Sequence, residues 1–215
     1  MTPYYTIDNT VMEVRFPEPL PPGDSVKIFI EWEGKVLDEG FRSGHVGRDF
    51  NIGQWYPQIS VYDKYGWDKN QYIGPAEFHN EFASFDVNVT LPKSFLLGFT
   101  GWLLNPEEVY PDSVQQKLKE SMGNDSTVRI VDYSQTDWKG YDTILQTWKM
   151  RAERVTDFAW SANEHYIWDV SHWTPPAPTV PAESVKPIRI HALYVADKKE
   201  YWKEAAHFGR HAIKF

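Results

Sequence analysis

The sequence predicts a mainly β chain of antiparallel sheets with one short helix and a C-terminal helix. Three observations carry that expectation. Aromatic residues make up 16% of the 215 residues, as ten Trp, twelve Tyr and twelve Phe, and such side chains pack well on half-buried pleated surfaces. Apolar and polar residues alternate with period two in several stretches, the spacing of a strand with one buried face. Proline and glycine clusters separate those stretches at points where neither a helix nor a central strand can continue.

In order along the chain, Val11, Glu13 and Arg15 open an alternating strand, and Val26-Lys-Ile-Phe-Ile-Glu-Trp32 predicts a second. Pro17, Pro19, Pro21, Pro22 and Gly23 make the turn between them. A stretch punctuated by Gly40, Gly44 and Gly47 leads to an aromatic run from Gln54-Trp-Tyr-Pro57 to Tyr62-Asp-Lys-Tyr-Gly-Trp67. Phe85 to Leu91 is the clearest strand, stopped by Pro92, and Phe95 to Leu104 reads as its buried neighbour. A helix is predicted over Pro111 to Met122, with Asp112 as its cap, Val114 and Leu118 on one face and Gly123 as its stop. Strands are expected again at Thr127–Val131, Thr143–Val155 and Ile188–Tyr194, the last after a Pro-rich linker from Thr174 to Pro181. A final helix starts at Lys198. Asp197 and Glu200 suit a capping box, and Tyr201, Ala205, Phe208, Ala212 and Phe215 fall on one stripe. That helix reaches the last residue without a stop signal, so a continuation of the chain is expected.

Composition narrows the function. The chain is 41% hydrophobic and 24% charged, ordinary for a folded protein and unlike a disordered one. Its net charge of −8 repels phosphate backbones, which argues against nucleic acid as a partner. No stretch approaches the roughly 20 apolar residues of a membrane span. Met1 to Tyr5 lacks the pattern of an export signal. The absence of Cys excludes disulfides and thiolate metal sites and leaves the compartment open.

No catalytic constellation stands out. A helical zinc site for hydrolysis needs two His four residues apart with a Glu beside the first, so that both imidazoles face the metal and the carboxylate takes the water's proton. His207-Phe-Gly-Arg-His211 has the spacing but carries Phe208 where the base belongs. His45, His79, His165, His172 and His191 are scattered. Glu31/Glu33 and Glu107-Glu108 read as solvated surface, and nucleophile elbows and phosphate loops are absent from the sequence. Catalytic residues and metal ligands are therefore expected to be none. Two patterns remain: Gln54-Trp-Tyr-Pro-Gln-Ile-Ser-Val-Tyr-Asp63, and Asp157-Phe-Ala-Trp160, whose acid suits a local backbone cap.

Taken together, several segments resemble the M1 family of zinc aminopeptidases. They are Pro19–Asp24 leading to Trp32, then Trp55, Tyr56 and Pro57, then Tyr62 and Asp63, and then Gly66 and Trp67. Further on come Tyr72 to Glu77 and Phe78, Glu81-Phe82, Phe85-Asp-Val87, Thr100-Gly101 with Leu103, and Asp157, Phe158 and Trp160. The resemblance implies the family's N-terminal domain over 1–182, a curved β saddle entered after its first strands. It implies the opening of the catalytic domain over 183–215. The function implied is that of a non-catalytic domain shaping the substrate cleft and docking on the zinc domain of the same parent. Zinc is then expected in that domain and no cofactor in this chain. By position, the loop facing a peptide substrate's amine would hold Arg48 and Asp49, with Gln54 behind it. For the parent, a periplasmic or secreted location is implied. His79 departs from the family branch, which usually has Tyr after the Glu-Phe pair. The rival reading is an aromatic-rich β-sandwich module binding carbohydrate or another protein.

Overall fold

A computed structural model describes residues 4–38, 42–72, 80–122, 126–132, 143–176 and 187–214. Gly40, Glu77, Phe78, His79, Gly123, Phe215, most of the Pro-rich linker and the 182/183 boundary lie outside them. Among the described residues the fold is mainly β and built from antiparallel sheets, as predicted.

The chain opens with a hairpin, β1 (Tyr4–Asp8) and β2 (Val11–Arg15). The Pro-rich turn closes as expected: the Asp24 N–H donates to the Pro21 carbonyl at 3.1 Å, and Gly23 sits at φ +81°. The strand predicted at 26–32 does not form. No strand among the described residues pairs with it, and Phe29 is 88% exposed. Alternation supplies a face, but a ladder also needs a neighbour's N–H and C=O groups. The segment is fastened near its end, where the Trp32 indole donates to the Trp55 carbonyl at 3.2 Å and Asp38 bridges to His45.

Two hairpins follow, β3 (Gly44–Val46) with β4 (Asp49–Ile52), and β5 (Tyr62–Asp63) with β6 (Gly66–Trp67). Strand β7 (Ala83–Pro92) shows the expected alternation, turning Phe85, Val87, Val89 and Leu91 inward and Ser84, Asp86, Asn88 and Thr90 outward. The apolar stretch after it is two strands, β8 (Leu96–Phe99) and β9 (Trp102–Leu103), and neither pairs with β7. The chain reverses between them at Gly101, which has φ +87°; a Cβ there would lie 2.1 Å from the Arg151 carbonyl oxygen. Only glycine fits that turn.

Glu107 and Glu108 belong to a short helix, α1 (Pro106–Val109), rather than a loop. Helix α2 (Asp112–Ser121) buries Val114 and Leu118 as expected, but Pro111 holds the cap position and Asp112 is the first helical residue. There its charge suits the positive end of the helix without a capping bond. Next come β10 (Val128–Val131), β11 (Leu145–Val155), β12 (Trp160–Asn163), β13 (Tyr166–Trp173) and β14 (Ile188–Val195). A single 3-10 turn, Ala196–Lys198, leads into α3 (Lys199–Trp202) and α4 (Ala205–Ile213).

The strands assemble as β7-β11-β9, β3-β4-β12-β8 and β10-β13-β14. Strand β11 sets Trp148, Met150 and Ala152 opposite Val89, Val87 and Phe85, and Trp148 is fully buried. These side chains join Phe95, Leu97, Val109, Ile130, Phe158 and Trp168 in one core. Strand β14 is hydrogen-bonded along β13 from Tyr166↔Val195 to Trp173↔Ile188, and α4 packs on both. In that sheet Asp169, almost wholly buried, accepts from Arg129 and, at 2.5 Å, from the Tyr194 hydroxyl.

The C-terminal helix departs from its predicted design. It breaks into α3 and α4, and neither Asp197 nor another side chain caps α3. Ala206 faces inward, and Gly209 lies so close to β14 that a Cβ would stand 2.8 Å from Ile190 Cγ2. The predicted stripe is turned outward instead, with Tyr201 84% and Phe208 65% exposed. Small residues win the inner face because the helix sits close against the sheet.

Candidate functional site

Among the described residues a groove of about 750 Å³ lies between the β1–β2 turn and the segment leading from β4 to β6. Its construction begins at Thr10. The Thr10 N–H and hydroxyl both donate to Gln71 Oε1, at 2.8 and 2.6 Å, and the Gln71 amide donates to the Asp8 carbonyl at 2.9 Å. The Tyr72 N–H returns a bond to Thr10 Oγ1 at 2.8 Å. This clamp sets the hairpin against residues 68–72 and makes one wall, with Asn70 held by Asp68 at 2.7 Å.

The other wall is the Gln54–Val61 segment. Its turn out of β4 puts Gln54 at φ +52° and exposes its side chain at the groove. Trp55 and Tyr56 then turn inward and meet the 157–158 segment. The Trp55 indole donates to the Phe158 carbonyl at 3.0 Å, and the Tyr56 hydroxyl donates to Asp157 Oδ1 at 2.9 Å. The same oxygen accepts from the Gln58 amide at 3.1 Å and from the Phe158 N–H at 2.7 Å. Tyr56 stands edge-on to Trp55 and to Phe85, with ring centroids 5.4 and 5.5 Å away. Burial, and then the Asp157 carboxylate, push the Tyr56 phenol up to about 12. It is therefore a neutral donor at physiological pH, and its proton points at Asp157 rather than at the groove.

Two patterns about a hundred residues apart in the sequence thus form one junction. Phe158 lies in its core at zero exposure, and Trp160 continues from it into β12, opposite Ile52 and Phe99. Pro57 lines the groove with Tyr56 and Gln58. The remaining motif residues stand apart. Tyr62, Asp63, Gly66 and Trp67 make the β5–β6 hairpin, in which Asp63 accepts from the Tyr65 N–H at 2.8 Å and the Tyr62 and Trp67 rings pack at 5.0 Å.

The three substrate-binding candidates do not come together. Gln54 is at the groove, whereas Arg48 lies in the turn at the other end of β4 and Asp49 is that strand's first residue. There Arg48 donates to Glu164 at 2.7 Å and lies over the Phe95 ring at 4.9 Å. Asp49 accepts from the Tyr166 hydroxyl at 3.3 Å. No family model, no curated protein and no solved structure matches this chain.

The groove's chemistry is that of neutral hydrogen bonding. Carboxamides of Gln54, Gln58, Asn70 and Asn80 and the hydroxyls of Ser43 and Ser60 line it, with Asp68 and Arg42 as its charged groups. Among the described residues no group of three or more His, Asp or Glu gathers as a metal site. His207 and His211 neighbour each other on α4, their rings tilted by 58° with centroids 4.5 Å apart. No helix among the described residues is long and apolar enough to cross a membrane. Sequence reading missed the contributions of Asn70 and Asn80 to the groove, which depend on contacts far apart in the chain.

Proposed function

We propose that this chain is a non-catalytic β domain that forms the wall of a substrate cleft and docks on a zinc metallo-aminopeptidase domain, the role implied by the M1 resemblance. One observation carries the reading. The motif residues Trp55, Tyr56, Asp157 and Phe158 spend their polar groups on one another, so they build a groove wall instead of performing chemistry. The outward aromatic face of α3 and α4, with Tyr201, Trp202 and Phe208 exposed, supports the docking part, because such a face favours contact with another surface.

The direct test is the coding sequence beyond Phe215. A His-Glu-x-x-His motif with a later Glu ligand is expected, and a stop codon there contradicts the proposal. A carbohydrate-binding module is the second reading, favoured by the carboxamide lining of the groove beside Tyr56. Titration with glucans and chitin oligomers, followed by aromatic fluorescence, should then give a saturable change that Gln58→Ala weakens. A flat response rejects that reading.

A further inference from the structure

The segment 26–32 has the side-chain pattern of a strand and no ladder partner among the described residues. Drawn out as a strand, it would set Val26, Ile28, Ile30 and Trp32 on one side and Lys27, Phe29 and Glu31 on the other; all seven are exposed. An exposed segment with a strand's side-chain pattern can, once extended, template another strand. The sequence itself says which strand fits.

Laid antiparallel against a second copy of itself about Phe29, the segment is self-complementary. Lys27 stands opposite Glu31 at both ends of the pairing, Phe29 stands opposite Phe29, and Ile28 faces Ile30. Val26 faces Trp32, so both copies contribute to one continuous apolar face. Opposite charges and paired aromatics directly across an antiparallel ladder are the favourable combinations, and like charges there are destabilising. Sliding the register by two residues sets Phe29 against Lys27 or Glu31 and loses the match. We propose that residues 26–32 are a homodimerisation edge, joining two copies of the chain through a two-fold antiparallel strand pair. This is the isologous geometry of most homodimers. It uses a surface separate from α3 and α4 and does not depend on the function proposed above.

Sedimentation equilibrium across a dilution series tests the pairing. The mass should rise with concentration from 25.1 kDa towards twice that value. Lys27→Glu sets Glu against Glu at both ends and should abolish the rise, as should Glu31→Lys, which sets Lys against Lys. An equimolar mixture of the two single variants should recover it, since every cross-strand pair is then of opposite sign. Both substituted positions are exposed, so folding is preserved. The chain has no cysteine, which permits a second test by Phe29→Cys. Opposed Cα atoms in an antiparallel pair are about 4.5–5.5 Å apart, within the roughly 4.4–6.8 Å span of a disulfide. Mild oxidation should therefore cross-link Phe29→Cys much faster than Ile59→Cys, a control that is also largely exposed. A monomer at every concentration overturns the proposal. So does a dimer indifferent to Lys27→Glu, or cross-linking equal to the control.

Discussion

Strands β7 and β11 and the segment 26–32 are written in the same alternating code, yet they behave differently. Phe85 to Leu91 finds β11 alongside it, and each inward side chain meets an inward partner such as Trp148 or Met150. Val26 to Trp32 alternates too, broken only at Phe29, and stays exposed along its length. A period-two pattern therefore encodes the capacity to pair, while the ladder depends on a second strand reaching the same place. In β7 and β11 the partner comes from the same chain. At 26–32 the pattern fits a second copy.

That contrast sets the scale of mutational effects. Trp148→Ala removes a fully buried indole and should destabilise the fold by about 3–5 kcal/mol, read from urea unfolding. Asp169→Ala leaves Arg129 and the Tyr194 hydroxyl without their shared acceptor inside the β10-β13-β14 sheet. The expected loss is about 3 kcal/mol, towards the low end for a broken buried pair because Arg129 is partly exposed. Tyr56→Phe deletes the hydroxyl that donates to Asp157 and accepts from Gln58 and should cost about 1–2 kcal/mol. Phe29→Ala, at a dilution where the chain is monomeric, should change stability by less than about 0.5 kcal/mol. A large loss at Phe29 in the monomer would erase the distinction between the two regions.

Acid sharpens the comparison from the other side. On β13 and β14, His172 lies opposite Arg189, with His191 two residues farther along. Loss of hydration and then the Arg189 charge lower both histidines, His191 to about 4. Each resists protonation more in the folded chain than in the unfolded one. Their contribution to stability is thus present above about 6.5 and is lost as pH falls towards 4. The urea midpoint should decline through that window, and less steeply in Arg189→Gln. An unchanged midpoint between those limits contradicts the assignment.

Much of the fold was legible where one chemical rule governed one element. The alternation of β7, the Val114 and Leu118 face of α2 and the strands ending at Val131, Val155 and Val195 follow from local pattern alone. Strand β13 escaped because both its faces are covered, so Ile167-Trp-Asp-Val-Ser-His172 carries no alternation. The outward stripe of α4 escaped because close packing at Gly209 outranked hydrophobicity in choosing the inner face. At the groove, the sequence singled out both Trp55-Tyr56 and Asp157-Phe158. Their meeting is a long-range hydrogen bond that no local pattern encodes.

Amide hydrogen exchange on the dilute chain tests the central contrast most directly. Residues 26–36 should exchange at rates close to those of an open chain, while the amides of β7 and β11 that face each other should be protected to the level of global unfolding. Equal protection of the two regions in the dilute monomer would mean that 26–32 already has a partner within its own chain, and would contradict the account.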